Sequence, residues 1–95
     1  MALLETIIKK PDIFLKSLFE AATCSADPRH CLPPQLTNII SSPPKGKVVV
    51  IGAGKAAGSM ALSFEHFWLN NFPGAPLTGM VITRYGHALT CRYID

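Results

Sequence analysis

Val48-Val49-Val50-Ile51 is an unbroken run of β-branched residues with no polar position in it. A strand wetted on one face alternates apolar and polar side chains, so a run without alternation suits a parallel strand buried on both faces. Gly52-Ala53-Gly54 closes the run, and Ala56, Ala57, Met60, Ala61, Phe64, Phe67 and Trp68 then recur at helical spacing. Asn70-Asn71-Phe72-Pro73-Gly74 stops that helix, and Gly79-Met80-Val81-Ile82-Thr83 supplies another strand. The sequence therefore predicts a strand over 47–51, a helix over 54–69 and a parallel strand over 79–83. This is the βαβ unit of an α/β, Rossmann-like sheet, with Cys91-Arg92-Tyr93-Ile94 as the start of a third strand. Ligands of such sheets gather at the carboxyl ends of the strands. Those ends carry Gly52-Ala53-Gly54-Lys55 and Arg84-Tyr85-Gly86-His87.

Ahead of this unit, Leu4, Ile7, Ile8, Leu15, Leu18, Phe19 and Ala22 recur at steps of three and four. Proline is welcome at a first helical position, so Pro11 divides the stripe into one helix ending near Lys9 and another over 11–24. The stripe is expected to be core, covering a sheet. Residues 25–46 hold Asp27-Pro28, Pro33-Pro34 and Ser41-Ser42-Pro43-Pro44, and read as a connector with a turn or two of helix around Leu36 and Ile39. The organisation expected is a helical segment and connector over 1–46 and the start of a Rossmann-like domain over 47–95.

Composition excludes several classes of function. A chain of 95 residues, 48% hydrophobic and 16% charged, is one folded unit at most. Burying only roughly 60 to 65% of its unfolded surface, it has little material for a whole active site. Nine Lys and Arg against six Asp and Glu give +3, scattered without a stripe, which argues against a nucleic-acid partner. No segment reaches the roughly 18 to 20 apolar residues that cross a bilayer. The first ten residues include Glu5 and lack the form of a signal peptide, so a cytoplasmic protein is expected. Three cysteines, Cys24, Cys31 and Cys91, with no C-x-x-C pair, read as reduced packing thiols and not as metal ligands. Nothing in the sequence fixes an oligomeric state.

A strand that turns through glycines into a helix is an anion site in waiting, because free amides and the positive end of the helix dipole face outward there. Lys55, read as a first-turn residue, would be disfavoured by that dipole by roughly 0.3 to 1 kcal/mol unless an anion offset it. The loop is not a Walker loop, since Ala56 follows Lys55 where a Ser or Thr would hold the metal. Gly52 to Ala57 does satisfy G-x-G-x-x-A, and Arg84 stands near the place where a dinucleotide site reads the ribose, suiting NADP better than NAD. Gly58 reads as a glycine for close helix-to-strand packing. On the residues alone, a phosphoryl-handling enzyme, an NADP-linked reductase and a non-catalytic α/β domain that binds an anion all remain open.

Val-Ile-Gly-Ala-Gly-Lys-Ala-Ala-Gly-Ser-Met-Ala at 50–61, followed by Gly-Met-Val-Ile-Thr-Arg-Tyr-Gly-His-Ala at 79–88, resembles the glycerate 2-kinase family. Its members are also called MOFRL proteins and are often labelled hydroxypyruvate reductases. Ala26-Asp27-Pro28 is similar to an Asp-Pro step in the family's N-terminal helices. The resemblance implies a two-domain enzyme that uses ATP and a divalent metal such as Mg2+ to phosphorylate the 2-hydroxyl of D-glycerate. This chain would be its N-terminal piece, inactive alone, with a Gly-His-Pro segment and the second domain lying beyond Asp95. By the same resemblance Lys55 is catalytic, neutralising phosphate or substrate oxygens, with Gly52, Ala53 and the amides around Gly54 beside it. Arg84, Gly86 and His87 form the second block, Arg84 to pair with a carboxylate or phosphate and His87 to hydrogen-bond or carry a proton. Against the family pattern, Pro33-Pro34 is expected to break the second N-terminal helix.

Overall fold

Two prolines set the boundaries of the N-terminal helices. The residue before a proline is driven out of the helical region, and Lys10 (φ −138°, ψ 67°) and Asp27 (φ −68°, ψ 125°) both obey this. The computed structural model describes residues 2–95. It runs α1 (Ala2–Lys9), α2 (Pro11–Ala26), α3 (Pro28–Ile39), β1 (Val48–Ala53), α4 (Ala57–Asn71) and β2 (Leu77–Ile82). Asp27 ends one helix and starts the next. Its N–H donates to Cys24 O at 3.1 Å, while its Oδ1 accepts the Arg29 N–H at 2.9 Å. The Arg29 guanidinium lies 2.7 Å from the same carboxylate. That side-chain bond first, and the Arg29 amide second, hold the Asp27 carboxyl down at about 2.

The third helix corrects the expectation of a connector broken at Pro33-Pro34. Both prolines lie inside α3. An interior proline costs about 3 kcal/mol, so contacts must offset it. Those contacts are with α4: Ser63 Oγ donates to Pro28 O at 2.8 Å, and Leu36 is buried. A propensity read one segment at a time does not include that neighbour.

β1 and β2 pair in parallel from Val48↔Leu77 to Ala53↔Ile82, as the apolar run predicts. β1 extends two residues beyond the expected end, and β2 begins two before the expected start. The expected third strand is reduced to a parallel bridge, Gly79↔Ile94, on the far side of β2 from β1. α4 covers one face of the pair and carries most of the core. Trp68 is 1% exposed, stacks on Phe64 with centroids 5.8 Å apart, meets Phe72 edge-on at 5.0 Å and donates its Nε1–H to Ala75 O at 3.2 Å. The opposite face of the sheet is open, with Val49, Ile51, Met80 and Ile82 all exposed and Ile51 at 81%. Burial of β1 on both faces is thus an expectation that the described residues do not meet.

The N-terminal stripe gives a second correction. Its helices form where expected, but among the described residues α1 packs only on α2, and α2 only on α1 and α3. α2 buries no residue and leaves Phe19 68% exposed. The stripe is not core here, because the pair stands off the sheet in a molecule 57 Å long and 17 Å thick. Cys24 and Cys31, expected to pack, are also exposed. No described helix is long and apolar enough to cross a membrane.

Trp68→Ala removes a filled aromatic centre, and a loss of about 3 to 5 kcal/mol in urea unfolding is expected. A change below about 1 kcal/mol would remove Trp68 from the centre of the fold. Asp27 yields a pH dependence of defined sign. Its folded value lies below the ordinary 3.8, so its contribution is complete above that value and is lost as pH falls through about 2. Far-ultraviolet circular dichroism between pH 5 and 1.5 should show a loss of helix that Asp27→Asn lacks.

Candidate functional site

The parallel register brings both candidate segments to one end of the sheet. β1 and β2 finish side by side at Ala53↔Ile82, and the chain leaves each strand at the same level. Two bonds then tie the exits together. The Gly54 N–H donates to Ile82 O at 2.9 Å, and the Thr83 hydroxyl donates to Lys55 O at 3.2 Å. Gly86 (φ +81°) closes a turn in which the His87 N–H donates to Arg84 O at 3.0 Å. This is the backbone-bonding role usual for a turn residue. The His87 side chain, with those of Lys55 and Arg84, is exposed.

Local geometry revises the glycine loop. Gly52 and Ala53 are not loop residues; they belong to β1, paired with Val81 and Ile82. Gly54 adopts φ +133°, and a Cβ there would meet nothing within 4 Å. Glycine is needed for the backbone conformation, not for space. The helix expected from Gly54 therefore starts only at Ala57, whose N–H closes onto Gly54 O at 3.1 Å. Lys55 stands one residue before the N-cap Ala56, outside the first turn. The Gly54 amide is occupied by β2, so the loop amides left without a backbone acceptor among the described residues are those of Lys55 and Ala56.

Charge is distributed unevenly around this end. Among the described residues the one ion pair is Asp27 with Arg29, so Lys55 and Arg84 both lack a carboxylate partner. Neither loop carries an acidic residue. Two cations and free amides suit a phosphate or carboxylate. They do not suit a divalent metal, which takes carboxylate and other oxygen ligands, and no group of three His, Cys, Asp or Glu among the described residues could hold one. A cavity of about 570 Å³ runs along β1 between Leu32, Met60 and Phe64. It is apolar and reaches the loop only at Gly54 and Ala56, so the charged end of the sheet, not this cavity, is the candidate site.

Two residues beside the site carry no motif. Thr83 follows β2, and the sequence marks it only as the expected end of the second strand. Glu65 is 2% exposed on α4, and its two carboxylate oxygens accept the N–H groups of Arg92 at 2.6 Å and Tyr93 at 2.8 Å. Spacing is its one sequence signal: Gly58, Ala61, Glu65 and Trp68 share a helical face. Burial, and then the charge of Glu65, push the Cys91 thiol above its ordinary value. Gly58 does not pack on a strand as expected. A Cβ there would lie 2.8 Å from His87 O and 3.4 Å from Leu89 N, so the helix packs against the segment after β2.

Known proteins match this chain in sequence. The family described as "Domain of unknown function (DUF4147)" matches residues 14–95. A protein of Agrobacterium vitis named "Putative hydroxypyruvate reductase" is 40% identical over 81 residues, 85% of this chain and 17% of that protein. A second protein of the same name and organism is 48% identical over 44 residues, 46% of this chain and 10% of that protein. The chain therefore matches less than a fifth of the length of these curated relatives. No solved structure matches it significantly.

Thr83→Val keeps the β-branched shape suited to a strand end and deletes only the hydroxyl. Loss of a hydrogen bond of about 1 kcal/mol predicts roughly fivefold faster amide exchange at 54–57 with the sheet intact. Unchanged exchange there would mean that Thr83 does not hold the Lys55 loop.

Proposed function

The chain belongs to the DUF4147 domain family, and from that membership we propose that it forms the N-terminal part of a glycerate 2-kinase, which transfers the ATP γ-phosphoryl group to the 2-hydroxyl of D-glycerate. The observation that carries the reading is the pair of unpartnered cations, Lys55 and Arg84, on two cross-tied loops at the carboxyl ends of parallel strands. Phosphoryl transfer asks a protein mainly for positioning and for positive charge where negative charge builds up. Lys55 neutralises phosphoryl oxygens, the amides of Lys55 and Ala56 orient them, and Arg84 pairs with the glycerate carboxylate. His87, exposed at the turn, exchanges a proton with the substrate hydroxyl. A divalent metal would supply further neutralisation of the ATP phosphates. Its protein ligands are not among these loop residues, and ATP is expected to be shared with the remainder of the enzyme.

An NADP-linked hydroxypyruvate reductase is the second reading, favoured by the names of the relatives and by G-x-G-x-x-A with Arg84 after the second strand. The dinucleotide fingerprint uses its second glycine to bring backbone up to the pyrophosphate. Here the amide of that glycine, Gly54, is bound to Ile82 O, so a pyrophosphate would be met by the Lys55 and Ala56 amides instead.

In the full-length enzyme that carries this chain, Lys55→Ala should lower the turnover of glycerate phosphorylation about tenfold to a hundredfold or more, the size expected for a charge aimed at a transferring phosphoryl group. Its thermal stability should be nearly unchanged, since among the described residues the exposed Lys55 side chain makes no hydrogen bond or ion pair. Lys47→Ala, an exposed substitution at the opposite end of β1, serves as the control. Near-wild-type turnover in the Lys55 variant would remove that residue from the site. Oxidation of NADPH by hydroxypyruvate, without ADP formation from glycerate and ATP, would give the reaction to the reductase.

A further inference from the structure

The segment after β2 carries Arg84, Gly86 and His87, yet residues 83–93 contain neither helix nor strand. Segments of this kind are usually mobile, and a site built on one needs external anchors. Two features of α4 supply them. At Gly58, the helix approaches so closely that a Cβ would sit 2.8 Å from His87 O. At Glu65, the carboxylate receives the amides of Arg92 and Tyr93. Gly58 and Glu65 are seven residues apart, which puts them on one face, two turns and about 10.5 Å apart along the helix.

Glu65 is a costly way to fill a core position. A buried carboxylate is disfavoured unless paired and hydrogen-bonded, and among the described residues it has no ion-pair partner. An apolar side chain would serve packing alone. What a two-oxygen acceptor adds is register, because two successive amides meet it at only one height along α4. The close contact at Gly58 fixes the other end of the segment in the same way. We propose that Gly58 and Glu65 are positioning residues, a two-point seat on α4 that sets where residues 84–87 stand relative to the Lys55 loop. The inference rests on the reading that residues 84–87 bind the substrate.

Two variants of the full-length enzyme test the seat from opposite ends. Gly58→Ala places a methyl group against the His87 carbonyl, whereas alanine itself is the better helix former. Glu65→Gln keeps the shape but turns an NH2 group toward one of the two amides. Displacement of a binding group by less than about 1 Å is expected to raise KM for D-glycerate roughly tenfold in each variant, with KM for ATP little changed. Hydrogen exchange across 84–91 should also quicken while α4 and the sheet stay protected. Ser63→Ala is the control, because Ser63 anchors α3 through Pro28 O. It should lower thermal stability and leave both KM and exchange at 84–91 unchanged. A merely structural Glu65 would behave like Ser63, losing active enzyme at constant KM, and that result would overturn the proposal. So would unchanged exchange across 84–91 in Gly58→Ala. Should the wild-type enzyme fail to phosphorylate glycerate, the kinase reading falls, while the exchange comparison still decides whether the seat exists.

Discussion

The burial of α4 on three sides is the constraint to which the rest of the structure answers. Trp68 and Ala61 are buried in the core beside the sheet, Ser63 holds α3, and Gly58 and Glu65 receive the chain after β2. A helix so enclosed buries polar positions beside its apolar stripe. It therefore carries a serine and a glutamate at 3% and 2% exposure among its aromatics. Each of these two buried polar groups is satisfied by backbone of a different segment, which is how one helix orders both α3 and the chain after β2. The same support lets α3 continue through two prolines that would stop an isolated helix.

The site follows from the parallel pairing in a similar way. Strands that end in register deliver two loops to one end of a sheet, but they do not by themselves hold those loops together. The Gly54 amide and the Thr83 hydroxyl do that, and the first of these bonds leaves only the Lys55 and Ala56 amides of the loop without a backbone acceptor among the described residues. Gly54 illustrates the trade: its positive φ allows the sharp exit from β1, and the resulting turn delays the helix by three residues and moves Lys55 ahead of the N-cap. The positive character at this end of the sheet thus comes from Lys55 and Arg84 lacking carboxylate partners more than from a lysine opposed to a helix dipole.

The open face of the sheet and the outlying α1 and α2 belong together in physical terms. Val49, Ile51, Met80 and Ile82 line one face, while α2, among the described residues, packs only on α1 and α3. Parallel sheets are found with both faces covered. The curated relatives that the chain matches are several times longer than it.

The sequence by itself determined the type of most elements and the end of the sheet at which the candidate residues lie. The β-branched run, the helical period after the glycines, the prolines at helix starts and the turn before β2 are local signals, and each acts over a few residues. Lys55, Arg84, Gly86 and His87 could be assigned to one end of the sheet because strand direction alone dictates it. Only the tertiary structure decided that residues 25–46 contain a full helix, that the N-terminal stripe stands apart from the sheet, that Gly58 faces the segment after β2, and that Glu65 is buried. These depend on contacts between residues 27 to 35 positions apart, such as Glu65 with Arg92 and Ser63 with Pro28. Periodicity reports which face of an element is apolar. It does not report which backbone comes to rest on that face, because the energy of a close approach or a buried carboxylate is set by a partner that no local window contains.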